Sequence, residues 1–226
     1  FFRNLSTAID DARALLFSIR DVDLISAECQ AAADGGIGFL DQNHSLTLHS
    51  SQVNLLSPPL RVYVGCASTL YGDVENSDLV KIHINSGKLS VMSYEAFSDS
   101  PLPLLRERVK IKMRDQDIDF FDYGDEFPSP YLFEKSKYLP EDFPSYREQI
   151  EFDTKLAQLK FLEDPARRLT AAEFDYALDA QNLQIEGFEL TLKGVPADLD
   201  QACGKYLTYR DLIECGETQA ATKIEN

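Results

Sequence analysis

The spacing of apolar residues predicts several helices along the chain. Thr7 and Asp10 resemble a capping box at the start of the first, and Thr170 and Glu173 form one at the start of a later helix. The last begins at Thr208, a good N-cap residue. The predicted helices cover residues 6–20, 22–33, 145–162, about 170–181, and a final stretch from 208 to Gly216.

Residues 57–72 carry signals for two different elements. Ser57-Pro58-Pro59 is a strong helix start, because proline is tolerated in the first helical turn. Leu60, Val64, Ala67 and Tyr71 then follow at helical spacing. The run Arg61–Val64 is rich in β-branched residues and makes a strand the alternative. The capping signals favour the helix.

Alternating apolar and polar residues predict two β-hairpins. The first joins 79–84 to 88–94 through Asn85-Ser86-Gly87, and the second runs over 106–123 with Asp115-Gln116 as its turn. A short strand is expected at Leu46 and Leu48, and another over 184–192, interrupted at Gly187. The side chains expected to be buried in the hairpins are Ile82, Val91, Ile111 and Phe120.

These elements predict an α+β fold, in which antiparallel hairpins form a small sheet packed with several helices. The predicted organisation is an N-terminal helical segment at 1–57, an α+β core with both hairpins at 58–163, and a C-terminal helix-strand-helix segment at 164–226. The three segments could also form one continuous domain.

The second hairpin contains the most informative chemical pattern. Cations occupy every second position from Arg106 to Arg114, so a strand places all five on one face. With a two-residue turn, Arg114 faces Asp117, Lys112 faces Asp119 and Ile111 faces Phe120. One interpretation of this pattern is a solvated face that partly neutralises itself.

The same register leaves three cations without acidic partners and beside aromatic residues. This patch is the best candidate in the sequence for contact with an anion or a nucleic acid. Its residues are Arg106, Arg108, Lys110, Phe121 and Tyr123.

Net charge restricts the classes of partner. The chain has 226 residues and a formal charge of −16, with 22 Lys+Arg against 38 Asp+Glu. A polyanion is therefore repelled except where basic residues concentrate. No apolar run approaches the ~20 residues of a membrane span, so no membrane contact is predicted. Four cysteines without a CxxC pair, the first three of them widely separated, predict reduced thiols in a cytoplasmic protein. The start at Phe1-Phe2-Arg3, without Met, is consistent with a fragment of a longer protein.

Two further patterns are weak indications of catalysis. The carboxylates of Asp119, Asp122, Asp125 and Glu134 form an alternative catalytic cluster that would use a metal ion. Their spacing does not match an EF-hand, and the three histidines have no metal-ligand spacing, so no metal site is predicted. His44 and His49 are expected on opposite faces of a strand, and His83 on a polar strand face with Lys81.

Residues 62–67, Val-Tyr-Val-Gly-Cys-Ala, faintly resemble the first motif of S-adenosylmethionine-dependent methyltransferases. That motif needs a strand followed by a glycine-rich turn, whereas this stretch has the single Gly65. The alternative is a helix in which Gly65 and Cys66 make a close packing contact. No cofactor is predicted for the chain.

A longer block of sequence resembles a known family. The block comprises Pro58–Ala67, Leu70-Tyr71-Gly72-Asp73, Asp78–His83, Ser86-Gly87-Lys88, Arg108–Ile111 and Asp122-Tyr123-Gly124. It is similar, over roughly residues 55–160, to the region downstream of the catalytic domain in methyltransferase-like proteins associated with bacterial DNA phosphorothioation. The resemblance implies a setting in phosphorothioate-DNA modification or linked phage defence. It carries over no catalytic residue, because the family's catalytic domain lies outside the region matched.

The sequence thus favours a non-catalytic accessory domain of a bacterial DNA-modification or defence system. Such a domain would bind a partner protein or position DNA through its one basic strand face. The alternatives are a metal-dependent enzyme acting on nucleic acid through the carboxylate cluster, and an acidic decoy that occupies a basic DNA-binding surface.

Overall fold

The structure is a computed structural model and describes residues 4–72, 74–159, 162 and 169–193. Its α-helices are α1 (Leu5–Ser18), α2 (Val22–Asp34), α3 (Pro58–Tyr71), α4 (Tyr146–Leu156) and α5 (Ala171–Ala180). Its strands are β1 (Phe39–Asp41), β2 (Ser45–His49), β3 (Leu79–His83), β4 (Lys88–Tyr94), β5 (Leu105–Lys112), β6 (Asp117–Asp122), β7 (Leu183–Glu186) and β8 (Glu189–Leu192). None of the described helices is long and apolar enough to cross a membrane.

Six strands form one antiparallel sheet in the order β1-β2-β3-β4-β5-β6, so each strand pairs with its neighbours in sequence. Both predicted hairpins are present, and β4 pairs with β5 to join them. The α+β fold is therefore confirmed. β1 and β2 come from the predicted N-terminal segment, yet β2 pairs with β3 along its whole length, from Ser45↔His83 to His49↔Leu79.

Two helices cover one face of this sheet. The core between them contains apolar residues from α2, α3 and β2 to β5, including Ile25, Leu60, Ile82, Val91 and Ile111. Residues 58–71 are helical, as the prolines at N1 and N2 predicted. The buried hydroxyl of Tyr63 lies 3.0 Å from the carbonyl oxygens of both His83 and Lys88, and shares its hydrogen with them. This contact fixes α3 beneath the turn of the first hairpin.

Among the residues that the structure describes, the opposite face of the sheet is covered at one end only. There Leu79, Met92 and Leu105 pack against Phe97 and Leu139, which belong to the irregular segments around the sheet. The other end carries polar side chains. This half-open face contains the candidate site.

A smaller core joins α4 and α5 to a second sheet, β7-β8. Residues 184–192, predicted as one interrupted strand, form a hairpin instead, because Gly187 adopts a left-handed backbone (φ 57°) in its two-residue turn. The capping box of Thr170 and Glu173 is confirmed.

Several details of the helices differ from the predictions. Asn4, not the Thr7 and Asp10 pair, caps α1, because its side chain accepts a hydrogen bond from the Thr7 N–H. α4 ends at Leu156 rather than at residue 162, and its Ile150 side chain is exposed. Gln149 is buried in its place, since its amide donates to the carbonyl oxygen of Pro101 at 2.9 Å. The predicted helix from Thr208 lies outside the described residues.

The predicted burial of Phe120 is wrong, because 60% of its surface is exposed. It belongs to β6, which pairs only with β5 and forms the edge of the sheet. The ring meets Tyr71 of α3 at a centroid distance of 6.1 Å. The covering helices do not reach far enough over this edge strand to enclose it. Ile82, Val91 and Ile111 are buried as predicted.

Candidate anion-binding face

The register of the second hairpin differs by two residues from the prediction. Lys112, not Arg114, lies opposite Asp117, and Lys110 lies opposite Asp119. A two-residue turn of the favoured type needs positive φ at both central positions, and neither Asp115 nor Gln116 is glycine. Only Gln116 takes that conformation (φ 52°), and the chain turns over four residues, 113–116. Arg114 is thereby removed from the strand.

The other end of β5 also departs from simple alternation. The pairing with β4 is irregular between Ser93 and Tyr94, so Leu105, rather than Arg106, lies opposite Tyr94. Leu105 is buried and Arg106 is exposed. The alternating pattern therefore holds for Arg108, Lys110 and Lys112 alone, and the five-cation face predicted from sequence has three members.

The neighbouring strands supply more cations to the same face. Across the sheet, Lys110 lies opposite Ser90, which lies opposite Lys81. In the next row Lys112 lies opposite Lys88, which lies opposite His83. We call the surface formed by Lys81, Lys88, Arg108 and Lys110 the basic face. Sequence reasoning placed Lys81 on a polar strand face but did not connect it with β5, because that needs the register between the two hairpins.

Acidic partners reach only the margin of this surface. Lys112 forms ion pairs with Asp117 (3.0 Å) and Asp119 (2.7 Å). Within the described ranges, no carboxylate oxygen lies within 4.0 Å of a basic-face nitrogen. Burial, followed by the charges of Arg108 and Lys88, lowers the pKa of Lys110. The basic face thus concentrates positive charge that no described carboxylate neutralises by direct ion pairing.

Aromatic rings border the basic face beside β6. The guanidinium carbon of Arg108 lies 4.6 Å from the centre of the Phe121 ring, and the Lys110 nitrogen lies 5.8 Å from it. Phe127 packs against both Phe121 (6.1 Å) and Tyr123 (5.8 Å). The structure therefore brings Arg108, Lys110 and Phe121 together. Tyr123 packs against Phe127 instead, and its N–H donates to the carbonyl oxygen of Arg106 (2.8 Å).

His83 lies within the same group of charges. Its Nε2 is 3.0 Å from the hydroxyl of Ser90, a side chain that is almost fully buried. The pKa of His83 is lowered to about 4 by burial and then by the charges of Lys81, Lys110, Arg108 and Lys88. At neutral pH the imidazole is therefore uncharged.

The four carboxylates of the alternative catalytic cluster are dispersed. Asp119 binds Lys112. Asp122, which lies opposite Glu107, is three residues after Asp119 on the same strand and therefore points to the other face of the sheet. Glu134 pairs with Lys137 at 2.6 Å on a separate segment. In the described part of the chain, no group of three histidine, cysteine or acidic side chains could hold a metal ion. These residues do not converge as a metal-dependent enzyme requires.

The remaining sequence candidates lie apart from the basic face. His44 is in the turn between β1 and β2 rather than on a strand, and His49 stacks on Phe97 at 5.6 Å. Residues 62–67 lie inside α3, so the strand and turn of a methyltransferase motif are not formed. Gly65 does not make the expected close packing contact, because a Cβ atom there would meet no described atom within 4 Å beyond its chain neighbours and the backbone of its own helix.

Both described cysteines are free thiols. Burial raises the pKa of Cys29 to about 12 and also raises that of Cys66. Neither thiol is therefore activated as a nucleophile. Cys203 and Cys215 lie outside the described residues.

Comparison of the chain with models of protein families, with curated proteins and with solved structures finds no match in any of the three.

Proposed function

We propose that this chain is a non-catalytic accessory module of a bacterial DNA-modification or phage-defence system, and that it contacts DNA through the basic face. The DNA contact is supported by one observation: four cations lie on one sheet face. None of the four forms an ion pair with a described carboxylate, so all are available to bind an external anion. The biological setting is proposed from the resemblance of residues 55–160 to the phosphorothioation-associated family.

The physical basis is local electrostatics. Lysine and arginine side chains bind backbone phosphates by displacing condensed counterions, which requires several cations within reach of one duplex. Neighbouring strands lie about 4.8 Å apart, so cations on β3, β4 and β5 lie within one compact surface. Hydrogen bonding across the sheet holds these strands in place before any ligand arrives. An accessory role, rather than catalysis, is supported by the dispersal of the carboxylates from Asp119 to Glu134.

Binding of a short fluorescent DNA duplex to the full chain tests this proposal. The test variant is Arg108→Ala with Lys110→Ala, and the matched control is Arg13→Ala with Arg61→Ala, which removes the same charge from exposed helical positions. We expect the test variant to bind more weakly and its salt slope to fall by about two units. The control should bind like the parent.

Circular dichroism confirms that each variant is folded before binding is compared. Equal affinity and equal salt slopes for the parent and the test variant would show that the basic face is not the contact. Absence of binding by the parent would reject the DNA contact and favour a partner protein as the ligand of this module.

A further inference from the structure

The centre of the basic face lies on the first hairpin rather than on β5. Here His83 and Ser90 form a polar pair joined by the 3.0 Å contact between Nε2 and the hydroxyl. Lys81 precedes His83 by two positions on β3, and Lys88 lies directly opposite it on β4. Cations from two strands therefore flank a pair of hydrogen-bonding groups.

Two polar groups at this centre have unused hydrogen-bonding capacity. Over the residues that the structure describes, Nδ1 of His83 has no hydrogen-bond partner. The Nε–H group of Arg108 is buried and likewise unpaired there. The unpaired buried Nε–H of Arg108 costs free energy, and Nδ1 of His83 is free to pair with a ligand, so both favour a polar ligand on this face.

We propose that a phosphate group binds over the His83–Ser90 pair, with the four cations of the basic face around it. The inference rests on the proposed function in one respect, namely that the phosphate belongs to a DNA backbone. The ligand chemistry itself, a tetrahedral oxyanion, follows from the donors: ammonium, guanidinium, hydroxyl and imidazole groups all donate to phosphate oxygens.

Phosphate binding should also change the protonation of His83. The groups that face the imidazole are Lys81 on its own strand, Lys88 and Ser90 on β4, Arg108 and Lys110 on β5, and Ser45 on β2. Three carboxylates of the named strands share this face: Asp41 lies two strands away on β1, and Asp117 and Asp119 lie three strands away on β6, where both pair with Lys112. An anion placed among the cations cancels their repulsion of a proton, so the pKa of His83 should rise towards its ordinary value.

Nuclear magnetic resonance of the histidine side chains in the full chain provides the first test, with inorganic phosphate as the probe. We expect phosphate to shift the His83 resonances and to raise their titration midpoint by at least one pH unit. His44, exposed in the β1–β2 turn, is the internal control and should not move. An unchanged His83 at millimolar phosphate, or equal shifts at His44, would overturn the site.

The second test separates this inference from the proposed function. Lys81→Ala with Lys88→Ala removes two cations of the site without touching β5, and it should weaken duplex binding roughly tenfold. Arg13→Ala with Arg61→Ala again serves as the charge-matched control. If the Lys81 and Lys88 variant binds DNA like the parent while the Arg108 and Lys110 variant does not, the central site is wrong and the DNA contact stands. If phosphate shifts His83 but the parent does not bind DNA, the site is a free-phosphate site and the proposed function fails.

Discussion

Lys135 provides a quantitative test of the physical reasoning, because its ammonium group is completely buried. It donates hydrogen bonds to the carbonyl oxygens of Phe97 (2.5 Å) and Ser100 (2.9 Å), and its nitrogen lies 4.7 Å from the centre of the Phe97 ring. Burial lowers the pKa of Lys135 to about 8, although the nearby Asp153, Asp78 and Asp99 act in the opposite direction. The lysine therefore links the stability of the fold to pH.

The sign and size of this link follow from the two pKa values. Between the folded value of about 8 and the ordinary value of 10.5, the unfolded chain keeps a proton that the folded chain has released. The free energy of unfolding therefore rises with pH across this window. One pKa unit corresponds to about 1.4 kcal/mol, so the contribution from pH 7 to pH 10 is about 2.5 kcal/mol.

The perturbation is Lys135→Met, which keeps the length of the side chain and removes the charge. At pH 7 the variant no longer buries a charge. However, it leaves two carbonyl oxygens without hydrogen-bond donors, at a cost of about 1–3 kcal/mol for each oxygen. We therefore expect similar stability of parent and variant at pH 7. Between pH 7 and pH 10, the free energy of unfolding of the parent should rise by about 2.5 kcal/mol more than that of the variant.

Urea denaturation at a series of pH values between 7 and 10 measures the difference. Titration of tyrosines such as Tyr131 and Tyr138, whose pKa values are raised to about 12, affects both proteins alike and cancels. Lys137→Met, at a partly exposed position two residues on, is the control and should follow the parent. A parent-to-variant difference that stays constant with pH would refute the reasoning. If the variant does not fold, the lysine resonance of the parent should instead titrate near pH 8.

Two further predictions concern the helical layer and the margin of the basic face. Gly65→Ala should stabilise the protein by about 0.5–1 kcal/mol in the same denaturation assay, since the helix interior favours alanine and the new methyl group clashes with no described residue outside its own helix backbone. A loss of stability there would show that α3 packs differently. Asp119→Asn should tighten duplex binding several-fold and increase the salt slope by about one unit, because it removes one of the two carboxylates on Lys112 and the charge opposite Lys110. Unchanged binding would place the DNA away from this margin.

Local patterns in the sequence were sufficient for the type of most elements. Alternation around turn residues predicted both hairpins, and Ser57-Pro58-Pro59 correctly favoured a helix over a strand for residues 58–71. The capping box at Thr170 and Glu173 was equally reliable, since both of its hydrogen bonds form within four residues. These signals succeed because the interactions behind them are short in sequence.

Register could not be obtained in the same way. Nearly the same sequence pattern is compatible with a turn of two residues or of four in the second hairpin. A register shift of two residues leaves each side chain on the same face of the sheet, so the pattern of faces does not distinguish the two turns. The prediction therefore placed Lys110 and Lys112 on the correct face, and Lys112 does bind Asp119, but the residue directly opposite Lys112 is Asp117. The irregular pairing at Ser93 and Tyr94, which displaces Arg106, depends on contacts that no local pattern contains.

The extent of the site was missed for a related reason. Lys81, His83 and Lys88 belong to one hairpin and Arg108 and Lys110 to the other, and only the β4–β5 pairing brings them together. Each hairpin alone has two or three cations, which is ordinary for a solvated strand face. Their sum across three strands distinguishes this surface from the rest of an acidic protein, because no described carboxylate lies within 4.0 Å of these four cations.

The distribution of charge also limits how such a surface can act. At physiological ionic strength, charges are screened beyond about 8 Å, so the four cations attract a phosphate group at contact, while the net charge of −16 repels the duplex on either side. The attraction therefore extends over a few phosphates only. Affinity from so few contacts is modest and falls steeply with salt. A surface of this kind suits a module whose attached or bound partner supplies most of the affinity, and whose own contribution is to set the position of the DNA.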